Sequence, residues 1–164
     1  MKVTVRKLKS GERVVFLLDE LGIPDFWVTH FVMQQLRLNH AYTSIENFLK
    51  SIKHFKLWEK INERDVLEEI YEGKIPSRDD ILSIKEHCLY QVKVFKAPVK
   101  QKVVNMNAFY LSESNRPIVS KSQHATRMAH IARFITFIGQ ERIKHKHNVA
   151  QLAEELNDMD KLFK

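Results

Sequence analysis

SKSQHATRMAHIARFITFIG, residues 120–139, carries His-x-x-Arg twice, at His124 to Arg127 and at His130 to Arg133. An imidazole and a guanidinium at that spacing touch one phosphate in some phosphoryl-transfer sites, so the stretch is either an active site or a helix that happens to carry both groups. Its apolar residues favour the helix. Ala125, Met128, Ile131, Ala132, Ile135 and Ile138 recur at helical spacing behind a Ser120–Gln123 capping pair. Ser122, Thr126, His130 and Arg133 lie across from that stripe, with His124 and Arg127 at its edge. A catalytic centre would also need a nucleophile or a metal. No Tyr follows Tyr110, no Ser or Cys follows Ser122, and no carboxylate cluster accompanies the pairs. The stretch predicts a helix with a polar, basic face and no catalytic residue.

Working outward, the same periodicity organises the upstream chain. KVTVRKLKSGERVVFLLDE (residues 2–20) alternates Val3, Val5 and Leu8 with polar residues, turns at Ser10-Gly11-Glu12 and resumes at Val14, which reads as a β-hairpin. Pro24 suits a first helical turn, and Phe26, Val28, Phe31, Val32 and Leu36 make the helix behind it mostly apolar. Thr43 and Glu46 have capping-box spacing ahead of Ile45, Phe48, Leu49, Ile52 and Phe55, predicting a helix to about Ile61 with Thr43, Asn47, Lys50 and His54 on its far side. A short acidic helix from about Arg64 to Tyr71 stops at Gly73. Ser77 with Asp80 opens another, with Ile81, Ile84, Cys88, Leu89 and Val92 inward, expected to end before Pro98. Residues 98–119 lack a sustained period and are expected to be a mobile connection. A final helix is expected over about Asn148 to Phe163, with Val149, Leu152, Leu156 and Met159 inward.

Composition fits this outline. With 164 residues, 44% of them apolar, four Gly and four Pro, the chain has material for one helical core. Cys88 is the single cysteine, so no internal disulfide forms, and neither a leader nor a long apolar run is present. A reducing cytoplasm is the expected compartment, with no membrane partner. The net charge of +7 is unevenly placed: Lys and Arg outnumber Asp and Glu by 10 to 6 in residues 1–60 and by 9 to 2 in residues 100–147, but are outnumbered 6 to 8 in residues 61–99. Basic groups gathered in this way suit a polyanion, because each phosphate contact releases a counterion only where the charges follow the backbone. His145-Lys146-His147 lacks the further ligands of a zinc site, so no metal or cofactor is expected. Trp58 and Cys88 read as core residues, and Lys50, Lys53 and Lys56 span more than one face.

Three segments then resemble a known family in order and spacing. TSIENFLKSIKHFKLWEK (residues 43–60), a helix running from Thr43 to Phe55-x-x-Trp58, is similar to the first helix of the SAM-like core-binding domain of tyrosine recombinases, the phage-integrase family. NERDVLEEIYEGKIPSRDDILSIKEHCLY (residues 62–90) resembles that domain's second and third helices, and VSKSQHATRMAHIARFITFIG (residues 119–139) a later one. The hairpin and IPDFWVTHFVMQQLRL (residues 23–38) resemble the N-terminal extension of one integrase subgroup, so the likeness covers about residues 14–143.

The resemblance implies a mainly α fold: a helical core-binding domain of four to five helices with an N-terminal β-hairpin. It divides the chain into residues 1–40 (hairpin and first helix), 41–143 (DNA core-binding) and 144–164 (a helical linker). The strand chemistry, through a 3'-phosphotyrosyl intermediate, would belong to a catalytic domain expected outside this chain. The implied partner is double-stranded DNA, with self-association of the full recombinase upon it. Candidate DNA-binding residues are Thr43, Asn47, Lys50, Lys53, His54, Lys100, Lys102, Lys121, Ser122, Gln123, Thr126, Arg127, His130 and Arg133. Two other readings remain open: a helical regulatory or protein-interaction module, and a small enzyme using His124 or His130.

Overall fold

The computed structural model describes residues 1–92, 95, 117–144, 154, 157–159 and 161. The fold is mainly α with an N-terminal two-stranded hairpin. Strands β1 (Lys2–Lys7) and β2 (Arg13–Leu18) pair antiparallel with Val3 opposite Leu17 and Val5 opposite Val15. Gly11, at φ +88°, makes the turn that a side chain would resist. Val15 and Leu17 point into the core, while Val5 and Leu8 stay exposed.

Helix α1 (Phe26–Phe31) starts two residues later than Pro24 suggested. The Asp25 carboxylate accepts from the Val28 N–H at 3.0 Å and makes the cap, and Pro24 instead bridges back to Leu18. A π-helical turn, Val32–Leu36, continues it and keeps Val32 and Leu36 buried, but Phe26 is 70% exposed, against expectation. Helix α2 (Tyr42–Ile61) also begins earlier than expected, behind Ala41, with no side-chain cap. Thr43 is therefore already helical and cannot cap, and Glu46 pairs with Lys50 at 2.8 Å instead of closing a capping box.

Helix α3 (Val66–Glu72) is capped by Asp65 and ends at Gly73, which is left-handed at φ +105°. Helix α4 (Arg78–Leu89) carries the full Ser77–Asp80 capping box. It ends well before Pro98, because Tyr90 leaves to bridge Ile118, and Leu89 turns outward at 38% exposure. Helix α5 (Lys121–Lys144) starts at Ser120, whose Oγ accepts from the Gln123 N–H at 3.2 Å. Met128, Ile131, Ala132, Ile135 and Ile138 are buried as the periodicity predicted, joined by Phe134 and Phe137, whereas Ala125 is exposed.

The long helices α2 and α5 pack against each other, the hairpin covers α2, and α3 and α4 close the remaining sides. Their buried side chains form one cluster that also includes Met159. Most of the expected helix over residues 148–163 and the expected mobile stretch over residues 98–116 lie outside the described residues, although Asn157–Met159 is helical and Val119 N–H donates to the Leu89 carbonyl at 2.8 Å. No helix among the described residues is long and apolar enough to cross a membrane.

Gly73 is fixed by more than its dihedral. Arg142, 7% exposed, donates from Nη2 to the Glu72 carbonyl at 3.1 Å, and a Cβ at Gly73 would run into its guanidinium. Gly73→Ala should lower stability by about 1–3 kcal/mol in urea unfolding. Ile135→Ala should cost about 2–5 kcal/mol, since that side chain is wholly enclosed.

Candidate nucleic-acid interface

Between α2 and α5 lies an open cleft of about 730 Å³. Asn47, Lys50, Lys53 and His54 line it from α2, and Ser122, Gln123, Thr126, Arg127 and His130 from α5. These residues, far apart in sequence, were all candidates. Ser51, Val92 and Ser120 complete the wall, and among the described residues no carboxylate lines it. Ser51 was missed: its position one turn after Asn47 was the available signal, but a lone serine on a helix draws no attention.

The other candidates lie elsewhere. Thr43 and Lys121 are exposed outside the cleft. Arg133, also exposed, borders an adjoining hollow with His40, Phe48 and His130. Lys100 and Lys102 fall outside the described residues.

The two His-x-x-Arg pairs do not converge. His124 Nε2–H donates to the Lys85 carbonyl at 2.9 Å, and Arg127 Nη1 donates to the Cys88 and Tyr90 carbonyls at 2.8 Å each. Arg127 thus satisfies carbonyls at and just past the end of α4, while His124 reaches one a turn earlier. The second pair turns to α2: the His130 ring stacks on Phe48 at 4.3 Å, and its Nδ1 lies 3.0 Å from Ser51 Oγ, which donates to the Asn47 carbonyl.

Two expectations for histidines need correction. His54, expected on the polar side of α2, is 2% exposed because α4 covers that arc: its ring stands edge-on to His87, with centroids 5.9 Å apart. Burial, then the charges of Arg127, His87 and Lys53, push His54 down to about 3. Burial and Arg127 push His87 down to about 4. His130, expected on the polar face, is half-buried, and burial, then Arg133, hold its ring below the ordinary imidazole value. Burial also lifts the Cys88 thiol to about 12, which leaves it protonated in the core.

With this geometry established, comparison with family models, curated proteins and solved structures finds no match. The likeness to the recombinase core-binding domain therefore rests on the residues that carry it.

The buried imidazoles give stability a pH dependence. Between the ordinary value near 6.5 and their folded values, the unfolded chain binds protons that His54 and His87 refuse, so stability present above pH 6.5 is lost as pH falls toward about 4. Each histidine contributes a slope of up to ~1.4 kcal/mol per pH unit. Glu59, raised by burial, acts in the opposite sense, so variants isolate the effect better than the wild-type curve. Urea midpoints should drop between pH 7 and pH 5, and His87→Gln should remove roughly half of that drop.

Proposed function

We propose that the chain binds double-stranded DNA along the α2–α5 cleft, as the core-binding region of a site-specific tyrosine recombinase acting in DNA integration and recombination. The supporting observation is the convergence of Lys50, Lys53, Arg127 and the hydrogen-bonding groups of Asn47, Ser122, Gln123 and Thr126 on one open cleft that no carboxylate lines among the described residues. Phosphates need such a mixture: cations for the charge, and amides and hydroxyls for register. Lys50 is 58% exposed and pairs with Glu46 on its own helix, a surface pair that is worth little and that a phosphate can replace. The amino end of α5, capped by Ser120, opens on the same cleft and adds the positive end of a long helix. Strand cleavage is left to a separate catalytic domain, and assembly of recombinase copies on the DNA follows from the same assignment.

One surface favours a protein-interaction module instead. Phe26, 70% exposed, packs edge-on to Trp27 at 5.1 Å, and Trp27 reaches the exposed Tyr71 at 5.6 Å, leaving an aromatic patch on the surface. A duplex titrated by fluorescence anisotropy separates the two assignments. Binding should weaken steeply as salt rises. Lys50→Ala and Arg133→Ala should each reduce the log–log salt slope by ~0.9, about one phosphate contact, with the fold intact. Arg127→Ala should instead loosen the α4–α5 junction, because its guanidinium holds two helix-end carbonyls. Supercoiled DNA should remain uncut and free of covalent adduct. No binding at low salt would leave the interaction module standing.

A further inference from the structure

His54 is an unusual cleft residue. Its ring lines the cleft although the side chain is 2% exposed, and its Nδ1 is buried without a hydrogen-bond partner. No acceptor holds one tautomer in place there. Burial keeps the imidazole neutral, helped by the charges of Arg127 on α5, His87 on α4 and Lys53 on its own helix. Among the described residues, the charges that act on it are cationic, and the carboxylate of Glu46 is engaged with Lys50. His130, on the opposite wall, stands in a similar field. Arg133 lies on its own helix, Ser51 and Phe48 meet it from α2, and His40 shares the adjoining hollow.

We propose that the cleft is a proton-coupled phosphate site: a phosphodiester group seated between α2 and α5 draws a proton onto His54, with His130 as the second acceptor. This rests on the DNA-binding assignment above and adds a thermodynamic partner to it. An anion reverses the sign of the local field, and an opposite charge within hydrogen-bonding range favours the protonated ring. The imidazolium then offers N–H donors on both nitrogens, which the neutral ring cannot. No hydrogen bond to His54 Nδ1 has to break first, and the ligand's charge acts against the burial and the cationic neighbours that hold the ring neutral. The proton comes from solvent and returns when the phosphate leaves, so DNA is held more tightly as pH falls.

Calorimetric titration of the chain with a short duplex near pH 6, at fixed salt and in two buffers of different ionisation enthalpy, counts the protons directly. Circular dichroism at the same pH verifies the fold. The expected result is uptake of about one proton per bound site, with affinity rising about tenfold per unit fall in pH. His54→Gln should lose most of that uptake while still binding at pH 7.5, and His130→Gln should lose a smaller part. Tight binding with no proton uptake overturns the inference and leaves DNA binding intact, as does uptake that survives both substitutions. Absence of binding at low salt at every pH overturns both. Should His54→Gln fail to fold, the wild-type proton count and the His130→Gln count still decide, since no uptake in the wild type refutes the coupling.

Discussion

Phe31 is where the fold is tied together. Wholly enclosed at the end of α1, it meets Phe48 of α2 at 5.1 Å and both Phe134 and Phe137 of α5, at 5.4 Å and 5.1 Å. Offset and edge-on rings at these separations gain attraction beyond the area they bury. The same cluster sets the spacing of the cleft, because Phe48 is also the surface on which His130 stacks. Which residues of α2 and α5 face each other across the cleft is thus decided by aromatic packing immediately beneath it.

A second constraint lies at the other end of α2. Lys56 is 11% exposed and contacts Glu59 at 3.0 Å and Asp25 at 3.5 Å, while Glu59 accepts the Val66 N–H at 2.9 Å. One buried charge group therefore joins the cap of α1, the body of α2 and the first turn of α3. Burial works against the charge on Lys56, but Glu59 and Asp25 outweigh it and raise its affinity for the proton. Burial pushes Glu59 up as well, with Lys56 opposing. Loss of either partner would strand the other charge in the core, so the arrangement specifies how three elements meet more than it adds to stability.

The parts of this fold legible in the sequence are those set by local spacing and local chemistry. The α5 stripe, the Ser77 capping box and the Gly73 stop depend on local spacing and local dihedrals, and all three are present. Helix α2 is different, since the hairpin, α4 and α5 all pack on it. Ser51, His54 and Glu59 are consequently buried outside its predicted apolar stripe, and no periodicity in a single helix signals a second covered side. The Thr43 and Pro24 expectations failed for another reason: each helix starts where a neighbouring residue already supplies the entry, Ala41 in extended geometry and Asp25 with its carboxylate. Of the candidate interface, what the sequence could place was the polar side of α2 and of α5. It could not show that the two sides share a cleft, because that depends on the ring packing at Phe31.

The repeated His-x-x-Arg finds its explanation in helical geometry. His124 and His130 are six positions apart, as are Arg127 and Arg133, and six residues at 3.6 per turn advance an α-helix by about 600°, leaving the second pair rotated roughly 120° from the first. Two pairs so placed cannot address one phosphate unless the helix breaks between them, and α5 runs unbroken from Lys121 to Lys144. Each pair must serve a different neighbour. The first finds the carbonyls at the end of α4, and the second finds Phe48 and Ser51 of α2, with Arg133 left at the surface. Gln123 lies between the two directions, and with Ser122, Thr126, Arg127 and His130 it makes the α5 wall of the cleft. The pairs brace α5 against two helices, with the α2–α5 cleft between those contacts.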